Sequence, residues 1–315
     1  MNKVKLSVIL PCLNCESVIS TQLSALEQQR CDQPWEIIIA DNGSTDKTLD
    51  IVHKYQSRMP HLRVVDSSAR PGAGAARNLA VPLAKGDYIV FCDADDEVCP
   101  GWLQALANAL NNHYLVAGTL DLLKLNEAWR IPDHHHFGTR VSPHTETLPY
   151  RHAPHLRHAP AANLAIHKDL HSKIKGFDES IVFNQDMDYC LRLQQLGYPL
   201  TFVPEAVINY RLRHSMAETY RQMYRWGKYS VLVYRKHLGD KDIVQQLRFL
   251  FGGWRYLPGN VLRLRRRSDL FDLVGWLGGR LGEMHGCLLY LIFPKLKLRP
   301  SDHHLPSVKQ ENHGA

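Results

Sequence analysis

Two kinds of apolar pattern alternate along the first half of the chain. Short, nearly continuous runs at Leu6–Leu10, Glu36–Ala40, Leu62–Val65, Tyr88–Phe91 and Tyr114–Ala117 read as buried strands. Between them, Val18–Gln29, Thr45–Gln56, Ala75–Ala84 and Gly101–Asn111 read as helices, the second with Ser44 or Thr45 as its expected cap. Buried strands alternating with helices predict an α/β fold, a mostly parallel sheet flanked by helices on both faces. Ligands in such sheets bind outside the carboxyl ends of the strands. Asp41, Asp93 and Asp95 all fall at those ends.

The pattern then changes. Residues 131–160 hold His134, His135, His136, His144, His152, His155 and His158 among prolines, with little periodicity, and predict a long loop over the site. Strand and helix signals return at Asn163–Ile166, Asp169–Ile174, Asp186–Leu196 (ending at Gly197) and Leu200–Val203. From Met216 onward the chain is mostly helical. Leu270–Phe293 is the one membrane candidate, but Asp272, Arg280, Glu283, His285 and five glycines speak against a spanning helix. A packed or interfacial amphipathic helix is expected instead, with Trp276 and Leu288–Phe293 as its apolar part. The expected organisation is a catalytic domain over 1–215, a helical basic and amphipathic extension over 216–296, and a disordered tail over 297–315.

Charge and cysteine content refine this. The last hundred residues carry 17 Lys+Arg against 8 Asp+Glu, whereas the rest is slightly acidic. Arg263, Arg265, Arg266 and Arg267 are the focus of the basic region, which suits an anionic lipid surface or a phosphorylated acceptor. Nucleic acid is not expected, because no aromatic residues are interleaved with the basic ones. Seven cysteines, an odd number with Cys92 and Cys190 inside apolar runs, suggest reduced thiols in a cytoplasmic protein. Cys12-x-x-Cys15 has no second pair at zinc spacing. The amino terminus runs straight into a strand, so no signal peptide is expected.

The most informative stretch is Asp93-Ala94-Asp95-Asp96, directly after the run Tyr88–Phe91. Carboxylates spaced D-x-D at a strand end suit a hard divalent cation, Mn²⁺ or Mg²⁺, held against a diphosphate. Gly72-x-Gly74 is not a dinucleotide fingerprint, since Arg77 occupies the last position and Arg70-Pro71 rather than a strand precedes it.

Four segments come in order: Ser7–Asn14, Glu36–Asp46, Gly72–Asn78 and the D-x-D stretch. Together they resemble family 2 glycosyltransferases of the GT-A fold over roughly residues 5–235. The resemblance implies an inverting transfer of sugar from a UDP-, GDP- or dTDP-linked donor to a hydroxyl acceptor, in cell-surface glycan or glycolipid synthesis. Pro11, Cys12 and Asn14 would line the base and ribose, Asp41 would accept from the base, and Arg77 would reach the diphosphate or substrate. Asp93 and Ala94 would contact the donor, with Asp95 as the principal metal carboxylate and Asp93 beside it.

Further along, Phe183–Leu193 is similar to the family's stretch ending in Glu-Asp. The similarity makes Asp186 the base that deprotonates the acceptor hydroxyl. Gln185 stands where Glu is usual, which removes one neighbouring charge. Asp188 reads as an acid favoured by the helix amino terminus. His214 lies where some relatives place a further metal or diphosphate ligand. Gln222–Trp226 matches Q-x-x-R-W, which brings Arg225 and Trp226 to the donor. A nucleotidyltransferase is the enzymatic alternative, but Cys12–Glu16 lacks the glycine and cation of its phosphate loop. A non-catalytic nucleotide-sugar-binding or membrane scaffold is the other. The basic helices favour a lipid-linked acceptor and a peripheral position on the inner face of the plasma membrane.

Overall fold

The computed structural model describes residues 4–131, 144–145, 148–150, 153–238, 253–262 and 264–292. The apolar runs become β1 (Leu6–Cys12), β2 (Trp35–Asp41), β3 (Leu62–Asp66), β4 (Tyr88–Cys92), a two-residue β5 (Glu97–Val98) and β6 (Leu115–Asp121). The intervening helices are α1 (Ile19–Glu27), α2 (Thr48–Gln56), α3 (Ala73–Ala80) and α4 (Trp102–Leu110). Strands β3, β2, β1 and β4 lie side by side and parallel.

Each strand sends alternate side chains to opposite faces, and both faces are covered. Leu6, Val8, Leu10, Ile37, Ile39 and Val90 pack with Leu23, Leu26, Val52 and Leu103 on one side. Ile9, Ile38, Ile89 and Phe91 pack with Ala76, Ala80, Tyr189 and Leu193 on the other. That double burial is why these strands read as continuous apolar runs.

Helix α2 begins three residues later than its pattern suggests. Asp46 is the reason: its Oδ1 accepts the Thr48 N–H (2.9 Å) and its Oδ2 the Glu16 N–H (3.1 Å). Ser44 and Thr45, the expected caps, bond to Asn14 instead.

Residues 131–160 are not wholly a loop. They contribute β7 (His144–Thr145), which pairs with β6, and a hairpin of β8 (Leu148–Tyr150) and β9 (Ala153–His158). Backbone pairing, and the Arg157 N–H donated to Gln194 Oε1 (2.9 Å), hold β9 in place. No hydrophobic alternation announces it. The run His134–His136 and His152 lie outside the described residues, as do Arg263 and the tail.

β10 (Asn163–His167) inserts between β4 and β6 antiparallel to both, so the sheet is mostly rather than wholly parallel. After α5 (Lys168–Lys173) and α6 (Gln185–Gln195), β11 (Leu200–Asn209) runs parallel to β6. It continues well past Val203. The exposed Pro204 and Glu205 break the apolar run at an irregularity between Val203 and Val207, where proline's missing N–H costs nothing.

The carboxyl-terminal helices are α7 (Met216–Leu238), α8 (Leu257–Leu262) and α9 (Arg267–Gly286), the last continuing as a π-turn to Ile292. Helices α7 and α9 pack backbone to backbone. A Cβ on Gly282 would stand 2.0 Å from the Tyr224 carbonyl oxygen, and one on Gly278 2.6 Å from that of Tyr220. The glycines that argue against a spanning segment therefore form its packing surface. Among the described residues, no helix is long and apolar enough to cross a membrane.

Candidate active site

The base-side residues meet because β1 and β2 end in register, Cys12 beside Asp41. Asp41 is buried, and its carboxylate accepts the N–H groups of Gly43 (3.2 Å) and Ser44 (3.2 Å to Oδ2) and the Cys12 thiol (3.6 Å). These bonds fix its direction at the strand end. Asn14 sits in the left-handed region (φ +49°), donates its N–H to Ser44 Oγ (3.1 Å) and accepts from the Thr45 N–H (2.8 Å). The loop after β1 is thereby tied to the loop after β2, with Pro11 half-buried at the junction.

The acidic stretch leaves β4 beside this junction. One carboxylate oxygen from each of Asp93, Asp95 and Asp96 lies within 4.8 Å of the others. Arg77, almost fully buried on α3, binds Asp93 Oδ1 (2.5 Å), and its guanidinium lies 5.5 Å from the Phe177 ring centroid. Arg213 binds Asp95 Oδ2 (3.0 Å). The Arg211 backbone N–H donates to Asp96 Oδ1 (2.9 Å), and its side chain donates to the Asp95 carbonyl (2.8 Å).

Arg77 and Arg213 pair with Asp93 and Asp95, but among the described residues no cation pairs with the Asp96 carboxylate. Burial pushes Asp93 above its ordinary range, Arg77 opposes this, and the charges of Asp95 and Asp186 add to it. Asp96 is pushed well above that range, by burial and then by Asp95 and Asp93. Its buried Oδ2 has no hydrogen-bond partner. A compact, under-compensated cluster of oxygen donors fits a hard divalent cation of the Mn²⁺ or Mg²⁺ type.

Across the cleft, Asn184 turns the chain into α6 with φ +60°. Asp186 follows in the first turn, half-buried, its Oδ1 accepting the Met187 N–H (2.9 Å) and its Oδ2 the Ala161 N–H (3.3 Å). Its negative charge is one of those that raise the Asp93 pKa, which makes the proposed base an electrostatic neighbour of the acidic cluster. It also opposes the effect of burial on His158, which lowers that imidazole's pKa. Helix α3 abuts α6 here: a Cβ on Gly74 would meet Gln185 Oε1 at 1.9 Å.

Helix α7 reaches the same edge. Asn184 Nδ2 donates to the Trp226 carbonyl (2.8 Å), and the Arg225 guanidinium lies 5.2 Å from the Phe183 ring centroid. Trp226 is 39% exposed, so it is not packed inward. His214 is exposed, and the close group of carboxylates does not include it.

Asp188 is more than an acid at a helix start. It is fully buried and bound by Arg192 (2.8 Å), Lys236 (2.8 Å) and His237 (2.9 Å), which ties α6 to α7. Burial alone would raise its pKa, but the His237 hydrogen bond, Arg192 and Lys236 hold it down to about 2.

The sequence reading assigned no site role to four neighbours of the site: Asp96, Arg211, Arg213 and His158. Asp96 was visible only as the last carboxylate of D-A-D-D, and His158 only as one of several histidines in the expected loop. Arg211 and Arg213 reach the cluster because β11 ends beside β5, a pairing between residues more than a hundred positions apart.

A mostly parallel sheet with carboxylates at its strand ends and a helix-borne acid opposite is the arrangement of a GT-A sugar-nucleotide transferase. Residues 7–175 match the model of glycosyl transferase family 2, and the chain belongs to that family. It is 38% identical over 97 residues to a poly(ribitol-phosphate) beta-glucosyltransferase of Bacillus spizizenii, a match covering 30% of this chain but only 15% of that protein. It is 24% identical over 246 residues to the succinoglycan biosynthesis protein ExoA of Rhizobium meliloti, covering 76% of this chain and 73% of that one. A solved mannosyltransferase from Pyrobaculum calidifontis, in complex with GDP-Man and Mn²⁺, superimposes with a TM-score of 0.56 at 16% identity. The superposition covers 96% of this chain and 78% of that one. At that identity the likeness concerns the fold.

Proposed function

We propose that the protein is a metal-dependent inverting glycosyltransferase that moves a sugar from a nucleotide diphosphate to a hydroxyl acceptor in cell-surface glycan or glycolipid synthesis. The observation that carries this is the compact Asp93–Asp95–Asp96 cluster, with Asp186 near enough for its charge to act on Asp93. The similarity to a poly(ribitol-phosphate) beta-glucosyltransferase supports the class, and that to a succinoglycan biosynthesis protein supports the cell-surface setting.

Asp41, held by two backbone amides, presents an acceptor-only group to a base N–H. Cys12, Asn14 and Pro11 shape the ledge around it. Asp93 and Asp95 would hold Mn²⁺ or Mg²⁺ with Asp96 behind them, and the cation would neutralise charge on the departing diphosphate. Arg77 keeps Asp93 oriented from a buried position, beside the Ala94 backbone. Asp186 takes the proton from the acceptor hydroxyl as that oxygen attacks the anomeric carbon. Its two backbone hydrogen bonds fix it while leaving lone pairs for that proton. Arg225 and Trp226, carried on α7 beside Asn184, line the same edge. His214, on the loop that carries Arg213, would add a further metal or diphosphate ligand.

The basic carboxyl-terminal helices support a membrane-proximal, lipid-linked acceptor and a peripheral position on the cytoplasmic face. A thermal-shift panel of UDP, GDP and dTDP, each with and without Mn²⁺, tests the donor site. One nucleotide is expected to raise the melting temperature only when Mn²⁺ is present. No shift with any of the three would overturn the reading.

A further inference from the structure

Helix α9 carries two distinct apolar rows. Its glycines meet α7. About a third of a turn round the helix, Leu270, Val274, Leu277 and Leu281 recur at spacings of four, three and four, and Leu288 and Ile292 continue outward through the π-helical turn. Leu270 is 41% exposed, Leu281 37%, and Leu288 and Ile292 48% each, while Val274 and Leu277 are half-buried. From Leu270 to Leu288 the stripe runs for about 27 Å at helical rise. An apolar row this long on a surface helix marks an interaction site.

Charge says what it fits. Arg266 precedes Leu270 by one turn on the same row, and Arg265 and Arg267 flank it, all three exposed. The described head of the stripe is therefore cationic. Pairing two copies in parallel would set these arginines together. A flat anionic surface neutralises them while burying the leucines.

The arginine end is also close to the chemistry. The Arg267 guanidinium lies 4.3 Å from the Trp129 ring centroid, and that of Arg130 lies 4.0 Å from the Phe271 ring centroid. Arg130 donates to the Arg213 carbonyl, and Arg213 binds Asp95. A surface held by this end of α9 would lie beside the cleft.

We propose that the stripe Leu270–Ile292, headed by Arg265, Arg266 and Arg267, docks the protein on an anionic phospholipid bilayer. This deepens the membrane-proximal reading given above. Docking buries leucine side chains at the headgroup boundary and leaves the glycine face on α7, so no refolding is required.

The test is flotation of the full chain with vesicles of pure phosphatidylcholine and with vesicles containing phosphatidylglycerol. Binding is expected to the anionic vesicles only, to weaken with salt, and to fall by roughly tenfold or more in L281E/L288E, which removes two exposed leucines that docking would bury. R265E, at the exposed arginine for which no side-chain contact is described, is expected to lower binding with the melting temperature unchanged. Equal binding of wild type and L281E/L288E, or a dimer in solution that L281E/L288E converts to monomer, would overturn the proposal. Nucleotide-dependent thermal shifts are read on the same samples. Loss of those shifts with lipid binding intact would sink the transferase reading alone, and the reverse would sink the docking surface alone.

Discussion

The molecule buries acid in two places, with opposite results. At the end of β4, three carboxylates crowd together with too little positive charge, and two of them are pushed up in pKa. Between α6 and α7, one carboxylate is surrounded by Arg192, Lys236 and His237 and is held down to about 2. Only Met187 separates Asp186, whose charge acts on the first region, from Asp188, which anchors the second. Burial is therefore not what distinguishes a working acid from a structural one. The balance of neighbouring charge is: the cluster proposed to take a cation has none paired with Asp96 among the described residues, whereas the acid between α6 and α7 has three cationic partners.

The largest stability effect is expected at the over-compensated site. Asp188→Asn would leave Arg192 and Lys236 facing each other without their shared anion, and should cost about 3–5 kcal/mol in urea unfolding. A loss below about 1 kcal/mol would erase the contrast. Divalent metal should act on the other region. Mn²⁺ at a hundredfold its dissociation constant should stabilise the wild type by about 2.7 kcal/mol, and Asp95→Ala should abolish that gain while leaving the metal-free protein folded.

The pH dependence should have opposite signs at the two places. Asp188 has its pKa lowered from an ordinary 3.8, so its stabilisation is complete above that value and is lost as pH falls towards 2. Asp93 and Asp96 have theirs raised, so their ionised forms cost stability at neutral pH, and acid relieves that cost. Asp96→Asn should therefore raise the metal-free melting temperature at pH 7 and lose that advantage near pH 4, which paired thermal melts would show. The smallest change concerns the helical pair. Gly282→Ala places a methyl against the Tyr224 carbonyl and should cost roughly 1–3 kcal/mol, with donor-dependent thermal shifts unchanged.

Much of the sheet was legible because burial on both faces leaves a run such as Ile37–Ile39 with no polar interruption. Asp41, Asp93 and Asp95 were legible for a related reason: acids abruptly following such runs mark strand ends. The β8–β9 hairpin was not, since its register rests on backbone pairing and Gln194 rather than on alternation. Nor was the antiparallel direction of β10, because an apolar run reads the same both ways. Asp188 looked like a simple helix-start acid because Lys236 and His237, which define its role, lie almost fifty residues away. Arg213 was hidden for the same reason. Its partner Asp95 is brought to it only when β11 pairs with β5.

The reading of the cleft depends on a division of labour between its two walls, and Asp186→Asn divides them most cleanly. Donor turnover, followed as nucleotide release in the presence of Mn²⁺, should fall by roughly 10²- to 10⁴-fold, as loss of a general base implies. Nucleotide affinity, measured by calorimetry on the same preparation, should stay within a few-fold of wild type. Turnover at the wild-type rate in that variant would contradict the account.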